Sequence, residues 1–352
     1  MVRMRAHRTY RFLGPASAAT AVFCALCFLL PTGSGALLPS PLPLTTSPPL
    51  TMNWTELYPT TGPSKRAGVN LADDSEDGYV VAFGGLDHQG SFNDTWVYSA
   101  GNWTELFPNV SPSQRAYAAM AYDNATQQVL LFGGQGPNSV APLNDTWAFS
   151  QGNWTLLHPT RSPPGLMRAV MTYDEAAGEI VMYGGLVLSG KTTTPSNQTW
   201  VYKGGNWKEL PRAGVPGINP DAFAYDPLNH GVVLVGTVSP TNFTVLTWIF
   251  KQGAWSRLGV SSEPSPGPVF GQQDLVYDAR DGFMLLYGSH ANTWKLVNGH
   301  WSKLHPAVAP RGRTLFGMTF DQGDGYVLLF GGQAALGRGC LGCTFLNDTW
   351  EY

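Results

Sequence analysis

Four arginines are the residues of this 352-residue chain whose positions first suggest ligand chemistry. Arg66, Arg115 and Arg313 each stand eight residues before an aspartate of a recurring pattern, and Arg168 stands two residues later in its own copy. A guanidinium group binds carboxylates through paired donors, so a cluster of arginines is typical of a site for an acidic glycan or another anionic or hydroxylated ligand. The alternative is that each arginine caps its own repeat by donating to loop carbonyls.

Two histidines, His88 and His290, fall in predicted loops on the same side as the arginines. They could form a metal site or an acid–base pair, and the alternative is that they are ordinary exposed loop residues. The recurring aspartates resemble a metal ladder. However, five of the six follow an aromatic residue, and all six precede a turn, where an aspartate bonds its own turn amides. We therefore predict no metal, no cofactor and no catalytic group.

Cysteines and sequons are the remaining reactive features. Cys340 and Cys343 form a CxxC motif, which has too few thiols for a zinc site. A local disulfide is the prediction in an exported protein, and a redox-active pair is the alternative. N-x-S/T sequons are frequent, and glycans are predicted on some of them. The candidates are Asn93, Asn102, Asn109, Asn124 and Asn242.

Tryptophan spacing reveals an internal repeat that must position these residues. Ten of the twelve tryptophans form pairs seven residues apart, beginning with Trp96 and Trp103, and each first member follows a threonine. An apolar run ending in two small residues precedes each pair, as in VVAFGG up to Gly85. An aspartate such as Asp74 stands ten residues before the first of those two small residues. Six units of about fifty residues fill the range 53–352.

Each unit is predicted to contain four short strands, a to d, such as strand a at 115–123. Charged residues make up only 13% of the chain, and 41 glycines and 27 prolines suit strands joined by tight turns. Strand b is apolar on both faces, so it is expected between neighbouring sheets. The glycine pair lets the chain turn sharply and lets another segment approach closely. Residues 53–57 form a d-type strand and residues 347–352 a c-type strand, so together they complete one blade and leave no open edge.

The glycine pair and the spaced tryptophans resemble the kelch repeat of the galactose-oxidase-like propellers, over about 300 of the 352 residues. The pattern weakens in units four and five, where Thr237 and Ser289 replace the second glycine. The resemblance implies an all-β, six-bladed kelch-type β-propeller with four-stranded blades. In similar kelch propellers an arginine at the head of strand a often lines the binding mouth, which implies that role for Arg66, Arg115 and Arg313.

Connection lengths indicate which face binds a ligand. The a–b and c–d connections have constant length, whereas the distance from the second small residue to the strand c tryptophan varies from 5 to 18 residues. In an up-and-down sheet the b–c and d–a connections share one face, which we call the b–c face. Variable loops on a rigid scaffold usually carry binding, so the site is predicted there, around the mouth of a central channel.

The N-terminal region predicts export. Four arginines precede an apolar run of about 15 residues, so residues 1–36 are interpreted as a signal peptide or an N-terminal membrane anchor. Residues 37–52 are rich in proline, serine and threonine and predict an extended linker, and residues 53–352 form the folded domain. The formal charge of −3 and the lack of a basic stretch argue against a nucleic-acid partner. A secreted or cell-surface monomer is expected, in contact with a membrane only through the N-terminal segment.

Two functions remain open from the sequence. The first is a binding or scaffold module that recognises a glycan or an extracellular protein through the b–c face. The second is a carbohydrate-active enzyme such as a sugar mutarotase or epimerase, which needs little more than an acid–base carboxylate and a sugar-binding arginine. Kelch propellers similar to this one include sialic-acid mutarotases. Because one fold hosts many functions, the resemblance does not choose between the two.

Overall fold

The computed structural model describes residues 52–352, apart from 138–140, 212–213, 215, 239–243, 265–273, 289 and 335–343. The predicted leader at 1–36, the linker up to residue 51, the Cys340/Cys343 pair and the Asn242 sequon lie outside the described residues. Within the described part, no helix has the length and apolar character needed to span a membrane.

The regular structure of the described residues is all β, as predicted. In chain order the strands are β1 (Thr55–Leu57), β2 (Asn70–Asp74), β3 (Tyr79–Phe83), β4 (Thr95–Ser99), β5 (Asn102–Leu106), β6 (Ala119–Asp123), β7 (Gln128–Phe132), β8 (Thr146–Ser150), β9 (Asn153–Leu157), β10 (Leu166–Met167), β11 (Val170–Asp174), β12 (Glu179–Tyr183), β13 (Leu186–Ser189), β14 (Thr192–Pro195), β15 (Thr199–Lys203), β16 (Asn206–Glu209), β17 (Asn219–Asp226), β18 (Gly231–Thr237), β19 (Val245–Lys251), β20 (Ala254–Arg257), β21 (Asp274–Asp278), β22 (Phe283–Tyr287), β23 (Thr293–Val297), β24 (His300–Leu304), β25 (Gly317–Asp321), β26 (Tyr326–Phe330), β27 (Gln333–Ala334), β28 (Thr344–Phe345) and β29 (Thr349–Glu351).

Most of these strands form four-stranded antiparallel sheets, whose strands we call a to d. In that order, sheet 1 is β2-β3-β4-β5, sheet 2 is β6-β7-β8-β9, sheet 3 is β11-β12-β15-β16, sheet 4 is β17-β18-β19-β20, sheet 5 is β21-β22-β23-β24 and sheet 6 is β25-β26-β29-β1. Two small sheets, β10-β13-β14 and β27-β28, lie on the b–c face: β13-β14 and β27-β28 belong to the b–c connections of sheets 3 and 6, and β10 belongs to the d–a connection that leads into sheet 3. The a strands contact one another in sequence, β2 with β6, β6 with β11, β11 with β17, β17 with β21 and β21 with β25, and β25 also contacts β2. This is a propeller-like architecture.

Sheet 6 is assembled from the two ends of the described chain. Thr55 pairs with Glu351 and Leu57 pairs with Thr349, so β1 is the outer strand beside β29. The pairing is the one predicted from the incomplete first and last copies of the repeat. The two paired strands, β1 and β29, are shorter than the predicted ranges 53–57 and 347–352.

Strand a begins later than the sequence predicted. In sheet 2 it spans Ala119–Asp123 instead of 115–123. Tyr117 has a φ of 59°, in the left-handed region, and such a residue cannot continue an extended strand. The arginines therefore stand in the approach to strand a, before the bridges that join Ala67 to Leu86 and Ala116 to Gln135.

The core lies between neighbouring sheets, where the b strands are almost fully buried. The second tryptophan of each repeat also crosses this space, because its indole Nε1 donates to the threonine that precedes the strand c tryptophan of the preceding sheet. The six bonds are Trp54–Thr293, Trp103–Thr349, Trp154–Thr95, Trp207–Thr146, Trp255–Thr199 and Trp301–Thr247, at 2.9 to 3.1 Å. Burial of both partners makes each bond part of the sheet-to-sheet packing.

The glycine pairs bring neighbouring sheets into close contact, as the sequence predicted. Gly133 has a φ of 65°, and a Cβ placed there would lie 2.4 Å from the Leu166 carbonyl oxygen. Its neighbour Gly134 donates its amide to the same carbonyl at 2.8 Å. A side chain at the first glycine would therefore push away the segment that leads into sheet 3.

Candidate functional site

Three of the predicted site arginines are buried in ion pairs. Arg66, Arg115 and Arg313 are 1–2% exposed. Each makes a two-pronged contact with the aspartate two residues before the strand c tryptophan of its own sheet. The pairs are Arg66–Asp94, Arg115–Asp145 and Arg313–Asp348, with N–O distances of 2.6 to 2.8 Å. Such bidentate pairs are strong and geometrically specific.

Nearly all donors of these arginines are used inside the chain, five each in Arg66 and Arg115 and four in Arg313. In Arg66, Nε donates to the Ser64 carbonyl, Nη1 to the Gly84 carbonyl and to Asp94, and Nη2 to Ser64 Oγ and to Asp94. A guanidinium group has five N–H donors, so none remains for a ligand. Arg115 repeats all five bonds. These contacts are those of the capping alternative.

The aspartate partners also hold the first tryptophan of the repeat. The indole Nε1 of Trp96 donates to Asp94 at 2.8 Å, and Trp147 and Trp350 make the same bond to Asp145 and Asp348. Burial opposes ionisation of Asp145, but its hydrogen bonds to Arg115 and that charge bring its pKa below the ordinary value. The Arg–Asp–Trp unit therefore stabilises sheets 6, 1 and 2.

Sheets 3, 4 and 5 lack this unit. The positions of the arginine hold Leu166, Ile218 and Phe270, and the last of these lies outside the described residues. Correspondingly, the buried indole Nε1 atoms of Trp200, Trp248 and Trp294 have no hydrogen-bond partner among the described residues. The two halves of the molecule therefore differ in how their first tryptophans are held.

Arg168 stands in a different environment from the other three. It occupies the left-handed position that Gly68, Tyr117 and Leu315 hold in their own sheets, with a φ of 58°. The main chains of these residues are joined by hydrogen bonds, from Gly68 N to Leu315 O, from Tyr117 N to Gly68 O and from Arg168 N to Tyr117 O, at 2.8 to 3.0 Å. We call these four residues the rim, because they stand at the start of the a strands on the b–c face.

The Arg168 side chain is available at this rim. Its guanidinium carbon lies 4.6 Å from the centroid of the Tyr117 ring, a cation–π contact. It makes no hydrogen bond or ion pair to a described residue, and its Nε is a buried donor without a partner there. Of the four candidate arginines, the one displaced in the repeat is thus the one with donors for a ligand.

His88 and His290 lie in the b–c connections of sheets 1 and 5, which are separated by sheet 6. The His88 ring packs edge-on against Phe345, with centroids 4.6 Å apart. These two side chains line a surface pocket of about 290 Å³ together with Lys65, Asp87 and Thr344. His290 is exposed. His88 therefore belongs to a groove between sheets 6 and 1.

A cavity of about 80 Å³ lies where the a strands begin, and it contains two acidic side chains that sequence reasoning missed. Asp221 stands at the irregularity between Pro220 and Ala222, where β17 shifts register against β18. Such a bulge redirects a side chain. Asp274 accepts the main-chain amides of Leu275 and Met318, both at 3.0 Å.

Burial raises the pKa of both carboxyl groups into the neutral range. The pKa of Asp221 rises to about 7, with a hydrogen bond from Thr237 opposing the shift, and that of Asp274 rises to about 8, with its two amide bonds opposing it. Carboxyls that exchange protons near neutral pH can act as general acids or bases.

The repeated turn aspartates have a structural role. Oδ1 of Asp321 accepts the amides of Gly323 and Asp324, and each equivalent aspartate accepts at least one amide of its own a–b turn. This confirms the sequence-based interpretation as turn residues. Among the described residues no group of three or more histidine, cysteine, aspartate or glutamate side chains is placed to hold a metal ion.

The four sequon candidates within the described residues are all exposed. Asn93 and Asn109 lie in connections, and Asn124 lies in an a–b turn, where its amide donates to Glu175 at 3.3 Å. Asn102 begins a d strand, and its Oδ1 accepts both the amide and the hydroxyl of Thr60. All four Asn side chains are therefore accessible for modification.

Comparison with known proteins gives no match: neither a protein-family model nor a curated protein corresponds to this chain.

Proposed function

We propose that this chain is an exported or cell-surface binding module built on a six-bladed, circularly closed kelch-type propeller. Three observations support the closed ring: the shared strands of sheet 6, the contact between β25 and β2, and the six Trp–Thr bonds, which return from sheet 1 to sheet 6. The repeat signature of the sequence supports the kelch assignment. A closed ring supplies a rigid frame, on which the b–c loops are free to vary.

The ligand of this module is a glycan or protein segment that carries a carboxylate, bound on the b–c face. The observation that carries this proposal is Arg168, a guanidinium group at the rim that stacks on Tyr117 and has no acidic partner among the described residues. A guanidinium binds a carboxylate through paired N–H donors, and an adjacent aromatic ring packs on a sugar or a peptide side chain. Arg66, Arg115 and Arg313 support the frame beneath it.

The experiment is a binding screen of the full chain on acidic and neutral glycans, followed by titration of the best acidic hit. Replacement Arg168→Ala should reduce affinity at least about tenfold, as expected when a charge-assisted bond is lost. The matched control is Arg280→Ala, because Arg280 is an exposed arginine of an a–b turn on the opposite face. Equal binding by both variants, with unchanged melting temperatures, would overturn the role of Arg168.

A second function, sugar mutarotation or epimerisation, is favoured by one observation. Asp221 and Asp274 line a cavity near the axis of the a strands and have pKa values of about 7 and 8, raised by burial. Such groups could move a proton at a sugar hydroxyl. Measurement of anomer exchange by NMR, with Asp274→Asn as the variant, tests this function. An exchange rate equal to that of buffer eliminates it without affecting the binding proposal.

A further inference from the structure

A second and larger cavity opens at the other end of the a strands, on the face of the a–b turns. Its volume of about 380 Å³ lies within the range of small-molecule sites. Its wall uses one position of the repeat, the residue immediately before the turn aspartate. The six residues are Asp73, Tyr122, Tyr173, Tyr225, Tyr277 and Phe320. We call this cavity the aromatic cup.

Two of the tyrosine hydroxyls, those of Tyr122 and Tyr225, are directed to the preceding turns. The Tyr122 hydroxyl meets the main chain of Glu76, and the Tyr225 hydroxyl meets that of Ala176. Burial, followed by nearby acidic charge, raises the pKa of both hydroxyls, so they stay neutral. The aromatic rings of this position contribute to the lining of the cavity.

The floor of the cup is apolar. Leu71, Met120, Met171 and Phe223 line both the aromatic cup and the small cavity that holds Asp221 and Asp274, so they lie between the two. These side chains cannot replace the hydration shell of a hard metal ion. The cup suits a ligand with an apolar surface.

The charge of the cup is negative. Its described lining includes two carboxylates, Asp73 and Glu175, and no lysine, arginine or histidine. Asp73 accepts hydrogen bonds from Ser75 Oγ and from the amide of Gln322, which fix its position. Aromatic faces carry partial negative charge, and these carboxylates add to it.

We propose that the aromatic cup is a binding site for a small organic cation of the alkylated ammonium class. Such a cation spreads its charge over methyl groups that pack on ring faces and on an apolar floor, which is the arrangement of aromatic cages in general. The site is on the face opposite to the rim. It is therefore independent of the carboxylate-binding function proposed above.

The test is titration of the full chain with choline, by calorimetry or NMR, beside the neutral isostere 3,3-dimethylbutan-1-ol. We expect choline to bind about tenfold more tightly than the alcohol, which differs from it in charge alone at nearly equal shape. Equal affinities, or no choline binding at tens of millimolar, would overturn the proposal. A peptide with trimethyllysine, titrated in parallel, distinguishes a protein-borne headgroup from a free amine.

Variants locate the site. Tyr173→Leu and Tyr277→Leu should weaken choline binding at least about threefold each, because they remove ring faces, whereas Tyr173→Phe should retain it. Tyr58→Leu is the matched control, since Tyr58 is 82% exposed and lies outside the cup. If the leucine variants fail to fold, choline affinity is measured in Asp73→Asn instead, because this change keeps the size of the side chain and removes its charge. Unchanged choline affinity in Asp73→Asn and in every folded leucine variant would contradict the proposal.

Discussion

The indole Nε1 of Trp103 donates to Oγ1 of Thr349 across 3.0 Å, although 246 positions of sequence separate the two residues. This bond joins sheet 1 to the strand of sheet 6 that is completed by β1. The same tryptophan–threonine bond occurs in the five remaining pairs of successive sheets. The threonine before each first tryptophan therefore connects one sheet to the next. Its hydroxyl must stay an acceptor in a buried place.

Replacement Thr349→Val should therefore destabilise the protein. It keeps the side-chain shape but leaves the Trp103 indole as a buried donor without a partner, which costs about 1–3 kcal/mol of unfolding free energy. Urea unfolding monitored by tryptophan fluorescence measures the loss. Thr104→Val, at an exposed position of the adjacent β5 strand, is the control. Equal stability of the two variants would contradict the role of the bond.

The buried ion pair between Arg66 and Asp94 predicts a larger loss of unfolding free energy. Asp94→Ala leaves the Arg66 charge buried and uncompensated, so unfolding free energy should fall by about 3–5 kcal/mol. Asp281→Ala removes a carboxylate that contacts an exposed arginine at 3.5 Å, and we expect a change of at most about 1 kcal/mol. A small effect of Asp94→Ala would show that water reaches the guanidinium group.

Two glycines with similar backbone conformations separate the effect of close packing from that of backbone strain. Gly133 and Gly101 have φ values of 65° and 81°, but a Cβ meets a carbonyl oxygen at 2.4 Å in the first and nothing within 4 Å in the second. Gly133→Ala should prevent folding or lower the melting temperature sharply, whereas Gly101→Ala should cost about 1 kcal/mol. Similar losses in both variants would mean that backbone conformation alone explains the glycine.

Stability should decrease as pH rises from about 4 to 8. Burial raises the pKa of Asp321 to about 6, of Asp74 and Asp221 to about 7 and of Asp274 to about 8. Since these pKa values exceed those of the unfolded chain, the folded state holds more protons between the two values, and ionisation on raising the pH favours unfolding. Melting temperatures across this range measure how steeply stability falls with pH, and Asp274→Asn should reduce that dependence.

Asp145 and Asp348 affect stability in the opposite direction and only at lower pH, because their pKa values lie below the ordinary value. A melting temperature that rises between pH 5 and 8 would contradict the burial of the first group.

Local opening should differ between the two halves of the molecule. Sheets 6, 1 and 2 contain the Arg–Asp–Trp unit, whereas the indoles of Trp200, Trp248 and Trp294 lack partners among the described residues. Amide hydrogen exchange should therefore be slower in the b strands β26, β3 and β7 than in β12, β18 and β22. Uniform protection of all six strands would show that the ion pairs do not control opening.

The sequence predicted the strands and their grouping because spacing in a repeat reports directly on sheet geometry. It placed the start of strand a too early, because nothing in the residue types of Tyr117 or Leu315 indicates a left-handed backbone. The conformation there is imposed by the hydrogen bonds of the rim.

The site was harder to predict because its chemistry depends on pairing across the repeat. Arg66, Arg115 and Arg313 appeared as a cationic group, although an aspartate precedes the strand c tryptophan by two residues in the same three units. That co-occurrence was the signal for the ion pairs. Asp221 could not be assigned from the sequence, because a register shift in β17 places it.

The aromatic cup was visible as a recurring aromatic residue before each turn aspartate, with Asp73 as the exception. The sequence shows this as a feature of single turns. The structure brings this position of all six sheets to one cavity, so a repeated neighbour of an aspartate becomes part of a shared wall.

The rim places a glycine, a tyrosine, an arginine and a leucine at one equivalent backbone position. Main-chain hydrogen bonds set their path, and three of the four positions hold a side chain, whereas a Cβ at Gly68 would lie 2.8 Å from the Tyr117 ring. Under the binding function proposed above, mutation at Tyr117 or Arg168 should change recognition while the main-chain path stays intact. This separation of specificity from stability gives selection, or protein engineering, a set of adjustable positions around a constant frame.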